Sequence, residues 1–175
     1  DMQDSQEVTE SVIFEFYQHL DRRLERIAER LQPDDILLVV SDHGAQTMEG
    51  GVALNQWLIE QGYLVLTKQV EPGTKLDATL VDWSLTRVWA AGGYAGRLFF
   101  NLVGREPAGI VTPDEVPALR QELERALQSL KTLTGSPMPI EFLVPTSLWP
   151  EAKGVPPDAL IYLDSLKYRA LGTVG

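Results

Sequence analysis

Asp42 and His43 are the residues of this sequence best suited to chemistry. They stand side by side in Ser41-Asp42-His43-Gly44, directly after the run Ile36-Leu37-Leu38-Val39-Val40. A carboxylate oxygen and an imidazole nitrogen together suit a divalent transition metal such as zinc. The uninterrupted leucine and β-branched run predicts a strand buried on both faces, as in a parallel sheet. In open α/β sheets, ligands sit outside the carboxyl ends of the strands, so such a strand would deliver the pair to a functional rim. Neighbouring strand residues point to opposite faces. A shared site therefore requires the chain to leave the extended conformation, and Gly44 makes such a turn easy. A plainer reading fits the same residues: Ser41 and Asp42 start a turn through side-chain to backbone hydrogen bonds, and His43 is solvated. Two donors are half of a four-ligand site. Residue types and spacing leave both readings open.

The elements that must position the pair come next. Ile13, Phe16, Tyr17, Leu20, Leu24, Ile27, Ala28 and Leu31 recur at three- and four-residue steps, which predicts an amphipathic helix over residues 5–31. Asp4 with Glu7 reads as a variant capping box at its start. Its charged face is a solvated one with i,i+4 pairs, and His19 borders the apolar stripe. Pro33-Asp34-Asp35 breaks the helix ahead of the apolar run. After Gly44 the pattern predicts a short helix with Asn55 as cap and Gly62 as stop. Trp57 and Leu58 are core anchors, and Tyr63–Leu66 is a buried strand. Thr86–Ala90 and Arg97–Leu102 flank a glycine-rich connection and predict a hairpin. Thr112-Pro113-Asp114-Glu115 predicts a helix start, and the stripe of Leu119, Leu123, Ala126, Leu127 and Leu130 carries it on. Ile140–Val144 and Ala159–Leu163 read as strands.

Length and composition are those of one globular domain, or one and a small appendage: 175 residues, 44% hydrophobic and 23% charged. With no cysteine, disulfides and thiolate zinc sites are excluded. A net charge of −10 argues against a general nucleic-acid surface, although an acidic protein can process phosphate esters where metal ions supply local positive charge. No apolar run approaches the ~20 residues of a membrane helix.

Leu38-Val39-Val40-Ser41-Asp42-His43-Gly44 resembles the Ser-Asp-His-Gly signature of the alkaline phosphatase superfamily, in its type I phosphodiesterase/nucleotide pyrophosphatase branch. The resemblance extends to the helix Phe16–Ile27, to Leu54-Asn55-Gln56-Trp57-Leu58 and Gln61-Gly62-Tyr63-Leu64, to the stretch Gly96–Pro107, and to Pro157-Asp158. It implies a partial alkaline-phosphatase-like α/β domain over residues 1–175. The expected sheet is mixed, mostly parallel and flanked by helices, with 68–135 as a hairpin-plus-helix cap or insert.

It also implies a hydrolase of phosphodiester or nucleotide pyrophosphate bonds using two divalent metals, zinc, manganese or magnesium. One metal activates a Thr or Ser nucleophile, and a covalent phospho-enzyme is then hydrolysed. By resemblance, Asp42 and His43 are ligands of the metal nearer the nucleophile. Neither a nucleophile nor a cofactor-binding residue is assigned within the chain. The start at Asp1 leads to the expectation of a piece of a longer protein, inactive alone. The expected partner is a small-molecule phosphodiester or nucleotide, with no general nucleic-acid binding and no membrane, in the cytoplasm. Two alternatives stand beside this one. The first is a sulfatase, phosphonate hydrolase or phosphomutase of the same superfamily. The second is a metal-free α/β interaction domain in which Asp42-His43 is only a turn.

Overall fold

The computed structural model describes the backbone of residues 2–174 and the side chains of residues 11–174. The chain divides into two units, Asp1–Ala45 and Gln46–Gly175.

The first unit is the helix α1, Met2–Ala28, followed by an irregular segment. The helix ends by tightening, as Arg30 N–H donates to Ile27 O and Leu31 N–H to Ala28 O. A turn follows in which Gln32 N–H donates to the Asp35 carboxylate at 2.7 Å. The Asp4–Glu7 cap rests on side chains outside the described residues. The apolar stripe exists but stands in solvent: Phe16, Tyr17 and Leu24 are all more than half exposed.

Ile36–Val40 corrects the expectation of a buried strand. The segment forms no strand, and Ile36 is 91% exposed. A strand exists only where a neighbour accepts and donates its ladder hydrogen bonds. Among the described residues no neighbour pairs with these five.

The second unit holds a mixed sheet. Its strands are β1 (Gly50–Ala53), β3 (Val88–Ala91), β4 (Gly96–Phe100), β5 (Ile140–Leu143), β6 (Ala159–Leu163) and β7 (Tyr168–Leu171). The main path runs β1-β7-β6-β4-β3, and β5 also pairs with β6. A mixed sheet flanked by helices is as expected, but its direction is not mostly parallel. Only β1 and β7 run parallel, while β3–β4, β4–β6, β5–β6 and β6–β7 are antiparallel. Two of these pairs, β3–β4 and β6–β7, are hairpins, whose tight connections force antiparallel neighbours. The β6–β7 hairpin turns through Asp164, Ser165 and Leu166, all at positive φ. A small ribbon pairs β2 (Thr74–Lys75) with β8 (Thr173–Val174). The hairpin β3–β4 joins the sheet through β6.

Helix α2 (Leu54–Glu60) and helix α3 (Val116–Leu127) supply Leu54, Trp57, Leu58, Leu119, Leu123 and Leu127 to the core, where they meet Val88, Leu98, Phe100 and Ile161. The short α4 spans Pro145–Leu148. At Gly96 a Cβ would lie 2.5 Å from Leu54 Cδ1, so only glycine lets the start of α2 pack so closely on β4. Helix α3 begins as predicted from Thr112. The Glu115 carboxylate accepts from both the N–H and the hydroxyl of Thr112, at 2.7 and 2.8 Å. These two bonds hold the Glu115 pKa below its usual range. Tyr63–Leu66 is not a strand. Tyr63 and Leu64 are buried, and Leu66 makes only an isolated bridge to Val81.

Three polar side chains clamp this unit. Asn55 is no helix cap: α2 is preceded by Ala53, and the buried Asn55 amide bonds both backbone groups of Ala90, donating to its oxygen at 3.0 Å and accepting from its N–H at 2.9 Å. It satisfies the open edge of β3, the terminal strand. Asn101 Nδ2 donates to the carbonyls of Trp83, Thr86 and Ala108, each at 2.9 Å, while its buried Oδ1 has no partner. Asp158, 8% exposed, accepts from Phe100 N–H and from both terminal nitrogens of Arg105.

Candidate metal centre

Asp42 and His43 lie in the first unit, on the irregular segment that follows the exposed apolar run. A bend at Asp42 takes the chain out of the extended conformation, which brings the two side chains to one side. Asp42 Oδ2 and His43 Nε2 lie 3.4 Å apart, with side chains 88% and 80% exposed. Gly44 plays a smaller part than its type suggested. It does not adopt a positive φ, and a Cβ there would meet nothing within 4 Å.

The other local bonds do not engage Asp42 Oδ2 or His43 Nε2, which face each other. Asp42 Oδ1 accepts from the His43 N–H at 3.1 Å, and the Ser41 hydroxyl donates to the His43 carbonyl at 2.7 Å. These are the turn bonds of the plainer reading, and they do not engage Oδ2. His43 Nδ1 lies 3.0 Å from the Gly44 carbonyl. A carbonyl only accepts, so Nδ1 is the donor there, and a neutral ring would present its Nε2 lone pair. A carbonyl or carboxylate behind the second ring nitrogen is the usual support of a metal-bound histidine. Tetrahedral ligands at zinc distances stand about 3.3–3.4 Å from one another, the separation seen between Oδ2 and Nε2. The donor types and their spacing fit one edge of a zinc tetrahedron.

The rest of such a site is not gathered here. Among the described residues no group of three or more His, Cys, Asp or Glu could hold a metal. His19 sits on α1, where its Nε2 accepts from Arg23 Nε at 3.4 Å. Of Arg87, Arg97 and Arg105, whose planar forks suit phosphate, two are engaged in ion pairs. Arg105 is tied to Asp158, Glu106 and the Phe100 carbonyl, and its hydrogen bonds to Asp158 raise its pKa further. Arg87 faces Glu122 at 3.6 Å. Arg97 makes one bond, to the Gly92 carbonyl at 2.8 Å, and forms no ion pair among the described residues.

Sequence reasoning singled out Asp42 and His43 but not the Gly44 carbonyl that fixes the imidazole. No sequence signal could have found it, because every residue carries a carbonyl. The stretches Leu54–Leu58, Gly96–Pro107 and Pro157-Asp158, which carried the resemblance, prove to hold the clamps Asn55, Asn101 and the Arg105–Asp158 pair.

Residues 3–146 match the family model described as type I phosphodiesterase / nucleotide pyrophosphatase. The chain belongs to that family. The match runs through α1, the Asp42-His43 segment and the unit from β1 to the start of α4. No curated protein and no solved structure matches the chain. Among the described residues no helix is long and apolar enough to cross a membrane.

Proposed function

We propose that Asp42 and His43 are one ligand pair of a two-metal centre that hydrolyses phosphodiester or nucleotide pyrophosphate bonds. The observation that carries this reading is the 3.4 Å spacing of two exposed donors, with the second imidazole nitrogen held by the Gly44 carbonyl. Family membership supports the substrate class. When bound, the metals stabilise charge on the transferring phosphoryl group and activate the nucleophile.

The chain's own part is to bind and orient. Asp42 Oδ2 and His43 Nε2 supply two donors, Gly44 O fixes the ring tautomer, and Ser41 pins the backbone between them. Two donors are too few for a closed site, so the remaining ligands and the nucleophile come from outside the described residues, and residues 1–175 alone do not turn over. Bis(p-nitrophenyl) phosphate with added Zn²⁺ or Mn²⁺ tests this, with no turnover expected. Turnover that disappears with His43→Ala or Asp42→Ala would refute the inactivity of these residues by themselves. A readout independent of activity is the ¹⁵N shift of His43 under zinc titration. Nε2, not Nδ1, should move. Coordination through Nδ1 would contradict the ligand geometry.

A further inference from the structure

The second unit contains a cleft of about 490 Å³ that the Asp42-His43 reading does not use. Trp83 and Trp89 form its wall, Leu76 and Val81 add apolar surface, and Lys75 and Arg97 bring charge. Its volume is in the range of small-molecule sites. None of the residues lining it is acidic, although the whole chain carries −10. Lys75 and Arg97 form no ion pair among the described residues. Asp77, close by in sequence, turns its carboxylate to the N–H and hydroxyl of Thr79.

The aromatic wall is set before any ligand arrives. Trp89 stacks on Phe99 at 5.5 Å, and Trp83 meets Trp89 edge-on at 5.1 Å. The Trp83 indole N–H donates to Ala78 O at 3.0 Å, and the Trp83 carbonyl is held by Asn101. Fixed rings bind a flat partner without a further ordering cost.

We infer that this cleft binds a planar aromatic ring carrying a phosphate group. The ring lies against one of the two indoles, whose planes cross at 86°, as bases do on aromatic platforms. The phosphate is met by the Arg97 fork and the Lys75 ammonium, the two side chains best matched to that anion. The inference rests on Gln46–Gly175 alone and stands or falls apart from the metal reading.

The test is an NMR titration of the full chain, following the indole N–H signals of its four tryptophans with adenosine monophosphate, adenosine and inorganic phosphate as probes. The expected result is saturable movement of Trp83 and Trp89 but not of Trp57 and Trp149. Adenosine monophosphate should bind about tenfold or more tightly than adenosine, the gain of charge-assisted hydrogen bonds to one anion. The double variant Lys75→Met/Arg97→Met should remove that gain while all four indole signals keep their free positions. His43→Ala should leave binding unchanged. No movement of Trp83 and Trp89 at millimolar nucleotide overturns the inference. So does an affinity unaffected by the double variant, or one lost with His43→Ala.

Discussion

Replacing Asp158 by alanine should be among the most damaging single changes in the second unit. Its carboxylate accepts from Phe100 N–H at 2.7 Å and from Arg105 Nη1 and Nη2 at 2.9 and 2.7 Å. It thereby ties the end of β4 to the start of β6. Truncation leaves a buried N–H without a partner, which costs about 1–3 kcal/mol. It also strips a half-buried guanidinium of its main counter-charge. Breaking a fully buried pair costs about 3–5 kcal/mol. Here the loss is smaller, because the Arg105 side chain is 25% exposed and keeps Glu106 and the Phe100 carbonyl.

A total of about 3 kcal/mol follows. With a urea slope of about 2 kcal/mol/M, the unfolding midpoint falls by about 1.5 M. Asp158→Asn keeps an acceptor for Phe100 N–H and should lose about half as much. In an Arg105→Met background the cost of Asp158→Ala should shrink by about 1 kcal/mol or more, since the two residues act together. A loss below about 0.5 kcal/mol for Asp158→Ala, the level of an ordinary surface change, would refute the account. Equal losses for the alanine and asparagine variants would also refute it.

Asn55→Ala opens both backbone groups of Ala90 and should cost about 2–4 kcal/mol in urea unfolding. Gly44→Ala should be neutral to within about 0.5 kcal/mol, because its φ is ordinary and the space around it is open. Burial, and then the hydrogen bond to Glu122, push the Tyr63 pKa up to about 12. Tyr63 therefore keeps its proton in the folded chain while the unfolded phenol ionises near pH 10. Stability from this group is complete below about pH 10 and drains away as pH rises toward 12, at up to about 1.4 kcal/mol per unit. Absorbance titration at 295 nm should show a late phenol that Tyr63→Phe removes and Glu122→Gln shifts down only in part. At the acid end, the depressed Glu115 pKa means the capping box stabilises α3 above the ordinary glutamate range and is lost as pH falls through the folded value. Helix content followed by circular dichroism should fall earlier in that window for Thr112→Ala.

What could be read from the sequence was local. The hairpin Val88–Ala91 with Gly96–Phe100, the Thr112 start and the strands at Ile140 and Ala159 each announce themselves within about a dozen residues, through turn chemistry or alternation. Sheet direction did not. Ala159–Leu163 reads as a continuous apolar run, yet it alternates buried and half-buried positions between antiparallel partners. Tyr168–Leu171 was missed although its alternation follows a turn at Asp164-Ser165, because that turn is built from non-glycine residues at positive φ. Ile36–Val40 failed for the opposite reason. Its composition is that of a strand, but pairing is a property of the neighbour. The Asp42-His43 pair was legible because two adjacent residues need only a bend to meet, whereas the bonds of Asn55, Asn101 and Asp158 span distances in sequence that no spacing rule reaches.

The exposed stretch Ile36–Val40 also bears on how the pair beside it can be probed. Five uncharged, β-prone residues with open backbone groups are a template for pairing between molecules. Asp34 and Asp35 guard one end of this stretch and Asp42 the other, the arrangement of gatekeeper charges. Asp42 would thus, beside the proposed metal binding, also keep copies of the protein apart. Its removal invites precipitation whether or not a cation is ever held, so a soluble His43 variant is the cleaner probe of the two.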